Sequence, residues 1–273
     1  MDVNVIIVGG GPAGIITALT AKSVYPEKSV CVIKEIGDGV IPCAIPYMMR
    51  TLEDASQNAM GNAPLEKAGV EIIVGKVVSL DTDAHTVNLE SGKILSYERL
   101  VIATGADPVL PPIPGIEADR VVQARALYEG EWPAGDRIVI VGGGDIGCET
   151  ADWLAASGKQ VSIVETAPQV LARMKDIPKA RLLARLAEKN VQIYTETQVV
   201  SIEARKVRLK KKDGSEFRLQ ADLVVLGINA QSEDVLFHKL QDKVKEVIAV
   251  GDAASPGNLG AALRNATEAA LKI

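Results

Sequence analysis

Aromatic side chains are scarce in this 273-residue chain, at 3% of its residues. A broad stacking surface for nucleic-acid bases is therefore not expected. Positive charge is not in excess either. Thirty Lys and Arg stand against 35 Asp and Glu, a formal net charge of −5, which argues against nucleic acid or an anionic membrane as partner. Only three cysteines occur, Cys31, Cys43 and Cys148. Being far apart, they suggest neither a disulfide framework nor a metal cluster, so no metal is expected. No apolar run approaches the length of a membrane span. The chain enters a β-branched run within a few residues of Met1, without the basic region or cleavage site of a secretory leader. The 47% hydrophobic content is enough to bury a core in about one to three domains. A soluble, cytoplasmic α/β protein is expected.

Glycine, by contrast, is concentrated where it carries information. Two turns, Gly9-Gly10-Gly11-Pro12-Ala13-Gly14 and Gly142-Gly143-Gly144-Asp145-Ile146-Gly147, each follow a β-branched run (Val5–Val8 and Ile138–Val141) and open a helix-like stretch. A strand, a G-x-G-x-x-G turn and a helix start let backbone N–H groups approach a pyrophosphate closely. One such hexapeptide is weak evidence. Two in the required context imply two dinucleotides on one chain, and hydride passing between them is the obvious chemistry.

The pattern around the turns is also written twice. After the first come a helix over Ala13–Ser23, a strand over Val30–Ile33, and short β runs at Glu71–Val74, Val77–Asp81, Thr86–Leu89 and Ile94–Ser96, closing on Leu100–Gly105. After the second come helices over Ile146–Ser157 and Ala180–Lys189, a strand over Val161–Val164, and β runs at Val191–Tyr194, Val199–Glu203, Val207–Lys211 and Phe217–Gln220. That half closes on Leu223–Gly227. Alternating strands and helices argue for a parallel sheet; the hairpins argue for a small antiparallel layer beside it. Pro108–Pro114 reads as an extended hinge between the halves.

Both turns, the segment Ala103-Thr104-Gly105-Ala106 and the run Val247–Ala254 (VIAVGDAA) together resemble the pyridine nucleotide–disulfide oxidoreductases, flavoproteins with two dinucleotide-binding domains. The resemblance covers essentially the whole chain. It implies an α/β fold of two Rossmann-like, three-layer ββα domains. The NAD(H) domain (113–245) is inserted into a discontinuous FAD domain (1–112 and 246–273), and no C-terminal interface domain is expected. For FAD it points to Gly9, Gly11, Pro12, Ala13, Gly14, Lys34, Glu35, Pro42, Val77, Ala103, Thr104, Gly105, Gly251 and Asp252. For NAD(H) it points to Gly142, Gly144, Asp145, Ile146, Gly147, Glu165 and Gly227. The final helix, after Asn258, should aim its N-terminus at the flavin, where its dipole favours negative charge on the reduced ring.

An acidic residue ending the second strand of each unit should meet the adenosine ribose. Glu165 does so in the second unit and would repel a 2′-phosphate, favouring NADH over NADPH. In the first unit Lys34 takes that place with Glu35 next, a departure that leaves open which of the two meets the ribose. Cys31 and Cys148 read as packing residues. Cys43, in VIPCAIPYMM, resembles the redox thiol of the single-cysteine branch, the NADH oxidases, peroxidases and coenzyme A–disulfide reductases. The second half, with Glu149 near the nicotinamide region, is more similar to the flavin–nicotinamide module of dienoyl-CoA and enoate reductases. The expectation is an FAD-dependent NADH oxidoreductase. It would pass electrons to an acceptor, or to a partner subunit carrying further redox centres. The alternatives are a self-contained NADH oxidase or coenzyme A–disulfide or persulfide reductase using Cys43, and a non-catalytic nucleotide-binding subunit.

Overall fold

The computed structural model describes residues 2–37, 39–40, 55–128, 134–228, 230–240, 243 and 247–273. Cys43 and Pro42 lie outside the described residues. The chain divides into two compact units. The first takes the described residues up to 40, 55–107 and from 230 onward; the second takes 108–228.

In the first unit the β-branched strand Asp2–Val8 is central. It pairs in parallel with Val30–Lys34 (Val5 opposite Val30) and with Ile94–Ile102 (Ile6 opposite Leu100). Glu71–Val74 extends one edge, and Ile248–Ala249 joins beside Val101 and Ile102. Both faces are covered, as a parallel sheet requires. Val5 and Ile7 pack on one side with Ala18, Ala21 and Ala266, while Ile6 and Val8 pack on the other with Ile33, Leu95 and Ile102. Each such fully buried Val or Ile contributes about 1.5–3 kcal/mol relative to exposure. The helix Pro12–Val24 buries only small residues, Ala13, Gly14, Thr17, Ala18 and Ala21, and the final helix Leu259–Ala270 buries Ala266, Ala269 and Ala270. Two alanine faces let these helices lie close together, and the Tyr25 hydroxyl donates to the Leu271 carbonyl at 3.0 Å.

Two expectations change here. Ile94–Ser96 and Leu100–Ile102 are not separate runs but one strand, Ile94–Ile102. Exposed Glu98 and Arg99 break the apolar pattern, yet pairing to Asp2–Val8 continues through them. The hairpin strands Val77–Asp81 and Thr86–Leu89 then pair antiparallel onto the start of that strand, so the meander belongs to one seven-stranded sheet rather than a separate layer.

The second unit repeats the arrangement. Its parallel sheet runs Val121–Gln123, Leu223–Leu226, Arg137–Val141, Gln160–Val164, Gln192–Tyr194, with the strand before the glycine turn again in the middle. Here the antiparallel strands Thr197–Glu203, Lys206–Lys211 and Glu216–Gln220 do form their own sheet, with Val207 and Leu209 buried and Lys206 and Lys210 exposed. The helix Asp145–Ala156 follows the turn. The next helix, Asp176–Glu188, starts a turn earlier than its apolar spacing indicates. Pro178 falls in its first turn, where the missing N–H leaves no bond unmade. Arg185 and Lys189 from its end both bond Asp152, the former at 2.9 Å, tying the two helices together. Among the described residues no helix is long and apolar enough to cross a membrane.

Candidate functional site

Both glycine turns have the same internal geometry. Gly9 and Gly142 take positive φ (+119° and +106°), a region open to glycine, and an added Cβ on either would collide with the carbonyl of Ala103 or Gly227. Those two residues are equivalents: each N–H bonds the last residue of the strand before its turn, Ala103 to Val8 at 2.8 Å and Gly227 to Val141 at 2.9 Å. A Cβ on Gly14 or Gly147 would strike the carbonyl oxygen of Gly9 or Gly142. These four glycines are there to let helix, turn and strand touch.

Gly11 and Gly144 are different. Each is the N-cap of its helix, neither end is closed by a side-chain hydrogen bond, and a Cβ on either would meet nothing within 4 Å. The turns therefore leave open space directly before uncapped helix N-termini, whose N–H groups and dipole favour an anion. Contrast the final helix, where Asn258 Oδ1 accepts from the Ala261 N–H at 2.9 Å. Pro12 and Ala13 begin the first of the two open helices; exposed Asp145 and half-exposed Ile146 begin the second.

At the ends of the second strands the units diverge. Glu165 crosses beneath its turn: its Oε2 accepts from the Gly143 N–H at 2.7 Å and its Oε1 from the Ala167 N–H at 2.8 Å. Lys34 occupies the corresponding place in the first unit. It is 7% exposed, and its stem runs under Gly10, where a Cβ would sit 2.6 Å from Lys34 Cδ. Its ammonium donates to Asn62 Oδ1, and Asn62 Nδ2 reaches the Gly37 carbonyl at 3.4 Å. Glu35 is exposed beside it. Asn62 was not visible as a site residue in the sequence, since nothing in its spacing ties it to Lys34.

The remaining first-unit residues lie on three further segments. Thr104 Oγ1 donates to the Glu233 carbonyl at 2.7 Å, and Gly105, at φ +88°, accepts from the Glu233 N–H. The Gly251 N–H donates to Asn265 Oδ1 at 2.9 Å, and Asp252 Oδ1 accepts from the Gly257 N–H at 3.0 Å. Val77 is half-buried at the start of its strand, just beyond Gly75, whose N–H bonds the Lys34 carbonyl. In the second unit Glu149 is half-buried on the helix after the turn. Burial, and then the Asp145 carboxylate, push its pKa up. Cys31 and Cys148 are fully buried, and burial pushes each thiol up to about 12; neither is poised as a thiolate.

The chain thus carries two strand–turn–helix units of one construction, each with an open, uncapped helix N-terminus. Residues 3–270 match the pyridine nucleotide-disulphide oxidoreductase family, and the chain belongs to it. The chain is 30% identical to an NADH oxidase of Thermoanaerobacter brockii across 99% of this chain and 41% of that protein. It is equally similar, at 30%, to a CoA-dependent NAD(P)H sulfur oxidoreductase of Pyrococcus abyssi, across 92% of this chain and 62% of that one. The solved ferredoxin reductase of the CYP199A2 system of Rhodopseudomonas palustris shares the fold, with a TM-score of 0.81 at 20% identity, covering 98% of this chain and 75% of its own. The chain thus spans less than two thirds of either curated relative.

Proposed function

We propose that the chain oxidises NADH and passes the electron pair through FAD to an acceptor or to a partner carrying further redox centres. FAD would occupy the first unit and NAD(H) the second, the latter inserted between the two stretches of the former. The observation that carries this reading is the pair of open turns at Gly11 and Gly144, identical in construction but followed by opposite charges at Lys34 and Glu165. The cradles fit dinucleotides: Gly11 and Gly144 give a pyrophosphate room, and the helix N–H groups supply its partners. Bound FAD supplies two-electron redox chemistry; the chain's residues bind and orient. Gly9, Gly11, Pro12, Ala13 and Gly14 would hold the FAD pyrophosphate. Lys34, Glu35 and Val77 would lie toward its adenosine, and Thr104, Gly105, Gly251 and Asp252 toward its ribityl side. Gly142, Gly144, Asp145, Ile146, Gly147 and Gly227 would hold NADH, with Glu165 on its ribose and Glu149 toward its nicotinamide.

Substituting the two open glycines separates the sites. Gly11→Val should give a folded protein with little or no bound flavin that still binds NADH. Gly144→Val should stay yellow and lose NADH binding. Flavin content by absorbance and NADH binding by fluorescence decide it, and normal flavin in Gly11→Val refutes the assignment. The resemblance to the Pyrococcus abyssi protein favours a second reading, in which Cys43 reduces a disulfide or persulfide. Cys43→Ser would then abolish that reduction while NADH still bleaches the flavin.

A further inference from the structure

The strand Ile248–Ala249 ends beside Ile102, and the Val250 N–H still bonds the Ile102 carbonyl at 2.8 Å. The chain then leaves the sheet, and the next N–H, that of buried Gly251, finds its partner elsewhere. Asn265, on the final helix, supplies it: its Oδ1 accepts from the Gly251 N–H at 2.9 Å. Ala262, one turn earlier in that helix, lies 3.9 Å from where a Gly251 Cβ would sit. Gly251 takes φ +65° and has no room for a side chain, since a Cβ would lie 2.6 Å from that of Ala13 on the first helix. Its carbonyl accepts from the Ala254 and Ser255 N–H groups at 3.0 and 3.1 Å, closing a tight turn around half-buried Asp252. The Asp252 Oδ1 is taken by the Gly257 N–H at 3.0 Å, while among the described residues its Oδ2 has no hydrogen bond to the chain.

We propose that Asn265 is a positioning residue for FAD: it sets the Gly251 turn before the cofactor binds, so that Asp252 presents its free oxygen to a ribityl hydroxyl. The inference rests on the reading that Asp252 faces the ribityl side of FAD, and adds what holds it there. A hydroxyl donates well to a carboxylate oxygen, and the gain is largest when that oxygen is already in place. Without Asn265 the Gly251 N–H would be buried and unpaired, which is costly. The turn would then relax toward water, and FAD would have to draw it back on binding. The helix itself does not call for this residue. Position 265 lies in the middle of Leu259–Ala270, where Asn is a poorer helix former than Ala. Its amide answers to the turn.

The test is FAD affinity, read as the rise in free-flavin fluorescence when flavin-loaded protein is diluted. Asn265→Ala should weaken FAD binding about tenfold, although it favours the helix. Asn265→Asp keeps an accepting oxygen at the same reach and should hold FAD better than Asn265→Ala. Asp252→Ala should weaken FAD as well. Asn265→Ala added to Asp252→Ala should then cost nothing further, because Asn265 acts through Asp252. Losses that add in the double variant, or equal losses in Asn265→Ala and Asn265→Asp, show a merely structural role and overturn the proposal. So does an Asn265→Ala protein that circular dichroism shows to be unfolded. Parent affinity in Asn265→Ala beside weakened binding in Asp252→Ala overturns the role of Asn265 alone. Parent affinity in Asp252→Ala means that the placement of FAD against Asp252 fails, and the proposal with it.

Discussion

On the proposed reading, charge at a few residues would set what the second unit accepts. Glu165 sits beneath its turn with both oxygens engaged by N–H groups, so its carboxylate is held where, on the proposed reading, a ribose 2′-phosphate would lie. The kcat/KM for NADH should exceed that for NADPH by at least about tenfold, and Glu165→Gln should narrow the gap. Equal values in the parent enzyme contradict this. Glu149 is the converse case. Burial and then Asp145 raise its pKa, so the fold favours its protonated form. Its contribution is favourable below the ordinary carboxylate pKa of about 4.3 and lost as pH rises through the folded value. At neutral pH Glu149→Gln should therefore raise Tm, and a lowered Tm would show that the charged form is stabilised instead. Glu165 stands out in the sequence because it follows a recognisable strand. Lys34 was ambiguous because two opposite charges stood side by side; burial of Lys34 and exposure of Glu35 come from packing, which residue order does not encode.

At the scale of elements, the strand–turn–helix unit depends on close approach. Gly14 and Gly147 place a helix against the carbonyl of Gly9 and Gly142, with no room for a methyl group. Gly147→Ala should cost about 3 kcal/mol, the upper part of the range for overpacking, whereas Gly144→Ala, facing open space, should leave stability nearly unchanged. Denaturant unfolding of the two variants measures this, and similar losses would mean that the turns are not built as described. Elements with strong periodicity, such as Pro12–Val24 and Arg137–Val141, were readable from sequence to within a residue or two. The long strand Ile94–Ile102 was not, because Glu98 and Arg99 interrupt its apolar pattern and only its neighbour's hydrogen bonds carry it through. The separate sheet of the second unit and the merged sheet of the first share one sequence pattern. Pairing across strands, which alternation does not specify, distinguishes them.

For the whole molecule, the second unit carries its buried and half-buried ion pairs as an acid-sensitive set. Arg137 bonds Asp222 at 2.7 Å and holds its carboxyl well below the usual carboxylate range. Burial pushes Asp152 up, but hydrogen bonds from Lys189 and Arg185 outweigh it and keep that carboxyl low. Both groups therefore add stability that is present above the ordinary Asp pKa of about 3.9 and is lost as pH falls through the folded values. Acid unfolding should begin below about pH 4 in the parent, and Asp152→Asn should flatten the pH dependence there. An unchanged acid profile in that variant would contradict the role of the helix tie.

The central claim of the proposed reading is that this chain binds FAD and NADH and that NADH reduces the flavin. Anaerobic titration of the purified protein with NADH, recording its visible flavin absorbance, tests that directly. The account predicts bound flavin that bleaches fully with one equivalent of NADH and far more slowly with NADPH. Protein that carries no flavin, or flavin whose spectrum NADH leaves unchanged, would contradict it.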